Sequence, residues 1–155
     1  MATTKKTTAK DKKETKRIDE NHIITLYMEQ ILMGEHLPKT VFAFCKKNDI
    51  EESDFYTFFG SFDSLKQEIW NKFLENTIST LHNDSSFSGF SPKNKLLTLY
   101  FTLFEVLTLN RSYVLYTLKD NKEGLSNLAQ LKQFRMAMKE FVSNHIATDE
   151  SRASK

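Results

Sequence analysis

The sequence is poor in the residues that punctuate or cross-link a chain, with one cysteine, two prolines and four glycines among 155 residues. A single thiol, Cys45, closes no internal disulfide and fits a reducing compartment. It lies inside an apolar run, so we read it as a small core filler rather than a nucleophile. Because helix breakers are scarce while Leu, Lys, Glu and Phe abound, the composition suits a helical globule; an all-β or α/β chain needs more Gly, Val and turn dipeptides. Long apolar runs are missing too. No stretch reaches the roughly 20 apolar residues of a membrane span, and the opening MATTKKTTAKDKKETKR lacks the apolar segment of a secretory signal. The expected location is cytoplasmic. Chemistry-bearing patterns are thin: His22, His36, His82 and His145 have no metal-ligand spacing, and neither a glycine-rich phosphate loop nor a carboxylate pair beside an obvious pocket is present. The expectation is a protein that is not an enzyme and uses no metal or cofactor.

Aromatic residues, by contrast, are plentiful. Thirteen Phe imply either a bulky core or apolar surface meant for a partner or an oily ligand. Charge is unevenly placed. Residues 1–17 hold seven Lys or Arg against Asp11 and Glu14, a net of +5, which leaves −3 for residues 18–155 out of the total of +2. An arm this rich in Lys and Thr has too little apolar surface to fold alone, so residues 1–20 are read as a disordered basic arm. It can touch nucleic-acid phosphates or an anionic lipid surface, or stay a solvated tail.

Apolar residues recur at helical steps from Asn21 to Met33 (Ile23, Ile24, Tyr27, Met28, Ile31, Leu32), which predicts a first helix ending near Gly34 and Pro38. Thr40 is placed to cap a second helix, and Asn48 with Asp49 tolerate the left-handed backbone of a tight turn. A short third helix over Glu51 to Phe58 follows. Ser61 then opens a long fourth through Leu65, Ile69, Trp70, Phe73, Leu74 and Ile78. His82 to Ser91 reads as a loop, a boundary or mobile flap exposing Phe87 and Phe90. Ser91 and Pro92 start a fifth helix to about Leu109 that is apolar on nearly every side and is expected to be buried all round, as a central core helix or the wall of a ligand cavity. Arg111 to Lys119 forms a sixth helix, a break follows around Asp120 to Gly124, and a last helix carries Leu128, Leu131, Phe134, Met138, Phe141, Val142 and His145 on one stripe.

Helix, helix, short turn, short helix and long connecting helix is the layout of a helix-turn-helix module feeding a second domain. The stretch KTVFAFCKKNDIEESDFYTFFGSFDSLKQEIW, residues 39–70, resembles the signature of the TetR family of transcriptional regulators. Cys45 takes the small position near the end of the second helix, Ile50 the apolar residue after the turn, Tyr56 and Phe59 the aromatic pair, and Ser61 and Leu65 the start of the connecting helix. The resemblance implies an all-α, TetR-like fold: a helix-turn-helix DNA-binding-like domain over 21–66, joined by a long helix to a helical ligand-binding and dimerisation domain over 67–155. It places DNA contacts at Lys39, Thr40, Glu51, Ser53, Tyr56 and Ser61. A ligand pocket for a small apolar or lipid-like molecule is expected at Tyr100, Phe101, Phe104, Leu107, Tyr113, Tyr116, Phe134 and Met138, where Tyr113, Tyr116 and Arg111 can orient a polar end. Double-stranded DNA and a second copy are the implied partners. Family members usually continue through further helices that build the dimer, so either dimerisation is reduced or rebuilt here or the natural protein is longer.

The departures from the pattern bear on DNA. Where the family usually has Gly in the turn this chain has Asp49, and where a phosphate-binding Lys commonly follows the Ser it has Phe62. Across residues 39–59, Lys39, Lys46 and Lys47 are outweighed by Asp49, Glu51, Glu52 and Asp54, a balance that repels a duplex. The residues themselves assign Tyr56 and Phe59 to packing. Two readings of function therefore stand: a ligand-responsive regulator that binds DNA, and a TetR-fold protein that has abandoned DNA to serve as a lipid-binding or protein-docking accessory.

Overall fold

The computed structural model describes residues 18–34, 36, 39–119 and 126–147, and the arm over 1–17, the break expected at 120–124 and the polar tail after residue 147 lie outside them. Among the described residues the chain is all-helical: α1 (Glu20–Leu32), α2 (Val41–Lys47), α3 (Glu52–Phe58), α4 (Phe62–Asn83), a 3-10 turn (Phe87–Gly89), α5 (Pro92–Leu109), α6 (Arg111–Lys119) and α7 (Ser126–His145). No helix among them is long and apolar enough to cross a membrane.

Most boundaries follow from capping. Asp19 accepts a hydrogen bond from the His22 N–H at 2.7 Å, so α1 begins one residue before the apolar stripe alone indicates. Thr40 caps α2 as expected, accepting from the Ala43 N–H at 3.2 Å. Glu51 stays extended, so α3 begins at Glu52. Ser61 and Ser64 exchange reciprocal bonds, Ser61 Oγ accepting from the Ser64 N–H at 3.2 Å and Ser64 Oγ from the Ser61 N–H at 3.0 Å. That box starts α4, which runs without interruption past residues 66 and 67 to Asn83 because its last turn still buries Leu81. The expectation of a mobile flap with exposed Phe residues is corrected here. Phe87 is 7% exposed and packs with Leu81, Leu99, Phe141 and Ile146, while Phe90 is half-buried against the same group. The 3-10 turn pins the loop down.

Two apolar clusters organise the molecule. The larger gathers Ile23, Tyr27, Phe44, Phe55, Phe59, Leu65, Ile69, Trp70 and Phe73 from the chain between α1 and α4 and takes in Tyr113 from α6. Phe62 is its clamp: its ring centroid lies 5.6 Å from Phe44, 5.8 Å from Phe55 and 5.9 Å from Tyr27, so one side chain at the start of α4 touches all three preceding helices. On the outside, Lys72 of α4 pairs with Glu20 of α1 at 2.9 Å, and that hydrogen bond holds the ammonium's pKa above its ordinary value. The smaller cluster closes the far end between α4, α5 and α7.

The expectation that α5 is buried all round is overturned. Only Lys95, Leu99 and Leu103 of this helix are buried, whereas Phe101 and Phe104 are 72% and 71% exposed. The reason is geometric. A helix packed on one neighbour covers a single stripe at i, i+4, i+8, here against α4, and apolar residues elsewhere on the cylinder face outward. Removing the clamp tests the larger cluster: Phe62→Ala is expected to lower the unfolding free energy by about 3 kcal/mol, the low end for a core Phe truncation because the ring is half-buried. Chemical denaturation followed by Trp70 fluorescence measures it.

Candidate functional site

The helix-turn-helix is held by polar as well as apolar contacts. Gln30 of α1 donates to Asn48 Oδ1 at 3.3 Å, and Asn48 in turn donates to the Phe44 carbonyl at 2.8 Å, fixing the end of α2. Asp49 then takes a φ of +55°. Where the resemblance led to Gly, the backbone is left-handed as Gly would suit, and Asp is one of the few other residues that adopt it readily.

All six candidate DNA contacts, Lys39, Thr40, Glu51, Ser53, Tyr56 and Ser61, lie on the surface. Thr40 and Ser61 cap helices through their oxygens, which leaves each hydroxyl hydrogen available to a phosphate. The assignment of both aromatics to packing holds for Phe59, 2% exposed, and fails for Tyr56, 53% exposed. Three residues apart at the end of a helix that stops at Phe58, the pair divides: Phe59 turns into the cluster as the chain becomes extended, and Tyr56 packs only its ring edge on Phe55, at 5.6 Å. Phe62 is not a vacant phosphate contact but a core residue.

Between α2 and α3 lies a groove of about 480 Å³, lined by Phe42, Cys45, Lys46, Asp49, Ile50, Glu51, Glu52 and Ser53. Lys46 leans over the Phe42 ring, 5.8 Å from its centroid. Acidity dominates the α3 side. Burial pushes the Cys45 thiol above its ordinary pKa, and the carboxylates of Glu52, Asp54 and Glu51 push it the same way. Those carboxylates sit at the N-terminus of α3, where the helix dipole favours them.

The eight candidate ligand-pocket residues are distributed over three places. Leu107, Tyr113 and Phe134 belong to the larger cluster, with Tyr113 1% exposed and Phe134 edge-on to Trp70 at 5.8 Å. Phe101, Phe104 and Tyr116 face solvent. Tyr100 and Met138 meet across an open groove of about 760 Å³ between α5 and α7, whose other walls are Lys132, Arg135, Met136, Lys139, Val142 and Ser143. Burial pushes the hydroxyls of Tyr27 and Tyr113 well above the ordinary tyrosine range, so both stay neutral. The fold also joins two histidines that are remote in sequence: His82 and His145 lie 6.0 Å apart between centroids, with His145 stacked on Phe141 at 4.6 Å. Lys132, Arg135 and Lys139 were not among the expected residues, although steps of three and four put them on one helical face; the histidine pair carried no such signal, because it joins the ends of α4 and α7.

Residues 95–155 match the family model described as Tetracyclin repressor-like, C-terminal domain. The matched segment runs from the first turn of α5 through α6 and α7. No curated protein and no solved structure matches the chain.

The thiol gives a local probe of the acidic, buried setting. Cys45 is expected to react with a disulfide reagent at neutral pH only about as fast as the chain opens, and at the free-thiol rate once unfolded. Reaction in the native state at the free-thiol rate contradicts that placement.

Proposed function

We propose, from the match of residues 95–155 to a tetracyclin repressor-like C-terminal domain, that this chain belongs to the TetR family and is a ligand-responsive transcriptional regulator that reads double-stranded DNA as a homodimer. Residues 21–66 supply the DNA-binding part, and residues 67–155 the ligand-binding and dimerisation part. The observation that carries the reading is the position of Tyr113. This residue of α6 is buried in the same cluster as Tyr27, Phe44 and Phe55, and its ring sits 6.3 Å from Phe73 of α4. A close-packed cluster transmits displacement because it has no slack. A ligand that shifts α5 and α6 therefore bears directly on the helix-turn-helix and biases its orientation relative to a second copy. Tyr56 and the hydroxyls of Thr40 and Ser61 supply DNA contacts from one half-site, and the basic arm supplies the phosphate neutralisation that α3 lacks.

The second copy has a surface to meet. Leu97, Phe101 and Phe104 form an outward stripe on α5, with Leu109 at its end, 80% exposed. Phe101 and Phe104 are 72% and 71% exposed, and outward aromatic side chains in one stripe favour contact with another apolar surface. Phe101→Glu with Phe104→Glu is expected to yield a monomer of unchanged helicity by sedimentation. A dimer that survives both substitutions places the interface elsewhere.

One observation favours a second reading, in which the fold no longer binds DNA and acts as a lipid-binding or protein-docking accessory: the acidic face of α3 with Glu51, Glu52 and Asp54. Selection of bound sequences from a random duplex library at about 0.1 M salt, where exposed charges are already substantially screened, separates the two. The regulator reading expects a palindromic motif, with affinity that falls steeply with salt and is lost when residues 1–17 are removed. No enriched motif supports the accessory reading.

A further inference from the structure

The α5–α7 groove has a chemical character that the regulator reading leaves open. Of the eight residues that line it, Lys132, Arg135 and Lys139 are cationic and none is acidic. The three follow one another at steps of three and four along α7, so they share a face. Beside them the floor is apolar. Met138 and Val142 are half-buried and rest on the cluster of Leu81, Leu99 and Phe141, and Met136 is 62% exposed. A line of positive charge bordering an apolar trough is complementary to a molecule with one anionic end and a long apolar body.

We propose that this groove binds a long-chain carboxylate, with its head group held by Lys132, Arg135 and Lys139 and its alkyl chain laid over Met136, Met138 and Val142. The volume of about 760 Å³ lies in the range of small-molecule sites. Arg135 presents the planar fork that pairs with a carboxylate through two hydrogen bonds, and the neighbouring lysines add point charge. Methionine side chains adapt to a flexible chain better than branched ones do. An alkyl chain seated there extends the smaller cluster outward. The assignment deepens the ligand-responsive reading and rests on it for its consequence only, since α7 packs along α4, the helix that carries the helix-turn-helix.

The test contains no DNA, so the absence of an operator leaves it intact. Octanoate, decanoate and dodecanoate are titrated calorimetrically into the full chain below their micellar concentrations, with dodecanol, inorganic phosphate and vesicles of anionic phospholipid as the other probes. Trp70, the chain's one tryptophan, reports any movement of α7 through Phe134, 5.8 Å away. Saturable one-to-one binding is expected, tightening by about two- to fourfold for each added methylene and weakening with salt. Replacing Lys132, Arg135 and Lys139 by Gln is expected to weaken dodecanoate at least about tenfold; all three side chains are exposed, so helicity is expected to stay unchanged. The single Arg135→Gln variant is expected to show an intermediate loss. Dodecanol binding as tightly as dodecanoate, undiminished binding in the triple variant, binding to vesicles without binding to the free carboxylate, or no binding at all overturns the proposal.

Discussion

The aromatic cluster around Phe62 is the contact on which the rest of the arrangement depends. Three short helices of 13, 7 and 7 residues have little stability of their own. They are held because rings from α1, α2 and α3 converge on one ring at the start of α4, which lies within 6 Å of each. Among the described residues, α5 and α7 are oriented by α4, since both pack against it. The helix that begins at the clamp is thus the helix that carries the C-terminal ones.

Phe62, directly after the capping Ser61, turns inward onto Tyr27, Phe44 and Phe55, so that position strengthens the module and presents no cation. The neighbouring surface is acidic: the carboxylates of Glu51, Glu52 and Asp54 stabilise the N-terminus of α3 and push the Cys45 pKa up, and they oppose a polyanion. Asp49 at φ +55° makes the tight turn between α2 and α3, so the helix-turn-helix geometry stands beside an acidic surface.

Local features were legible in the sequence where a single interaction decides them. Thr40, Ser61 and Ser91 each cap the helix that follows, because a hydroxyl at that position bonds the backbone whatever surrounds it. The left-handed turn at Asp49 was legible for the same reason. Features decided by distant partners were not. Tyr56 and Phe59 look alike in sequence, and only the direction of the chain after Phe58 sends one out and the other in. Phe87 reads as a loop residue until Leu81, Leu99 and Phe141 give it a place to be buried. Of the candidate pocket residues, the apolar pattern identified side chains able to line a site, but which of them share a wall depends on how α5, α6 and α7 lie across α4.

The fifth helix shows why composition misleads most where it is most extreme. A cylinder apolar on every side reads as buried on every side, yet burial requires a neighbour on each, and α4 covers only the stripe of Lys95, Leu99 and Leu103. The uncovered aromatic face is a cost in water that an isolated chain has no reason to carry. A second helix, α7, places cations at the border of that apolar region and none on its floor. Apolar residues left outward beside an ordered row of charge separate into two surfaces with different demands: the stripe of Leu97, Phe101 and Phe104 suits another apolar surface, and the groove at Tyr100 suits a molecule with a charged end. Both lie on helices bound to α4, so whatever covers either one acts on the helix that begins at Phe62.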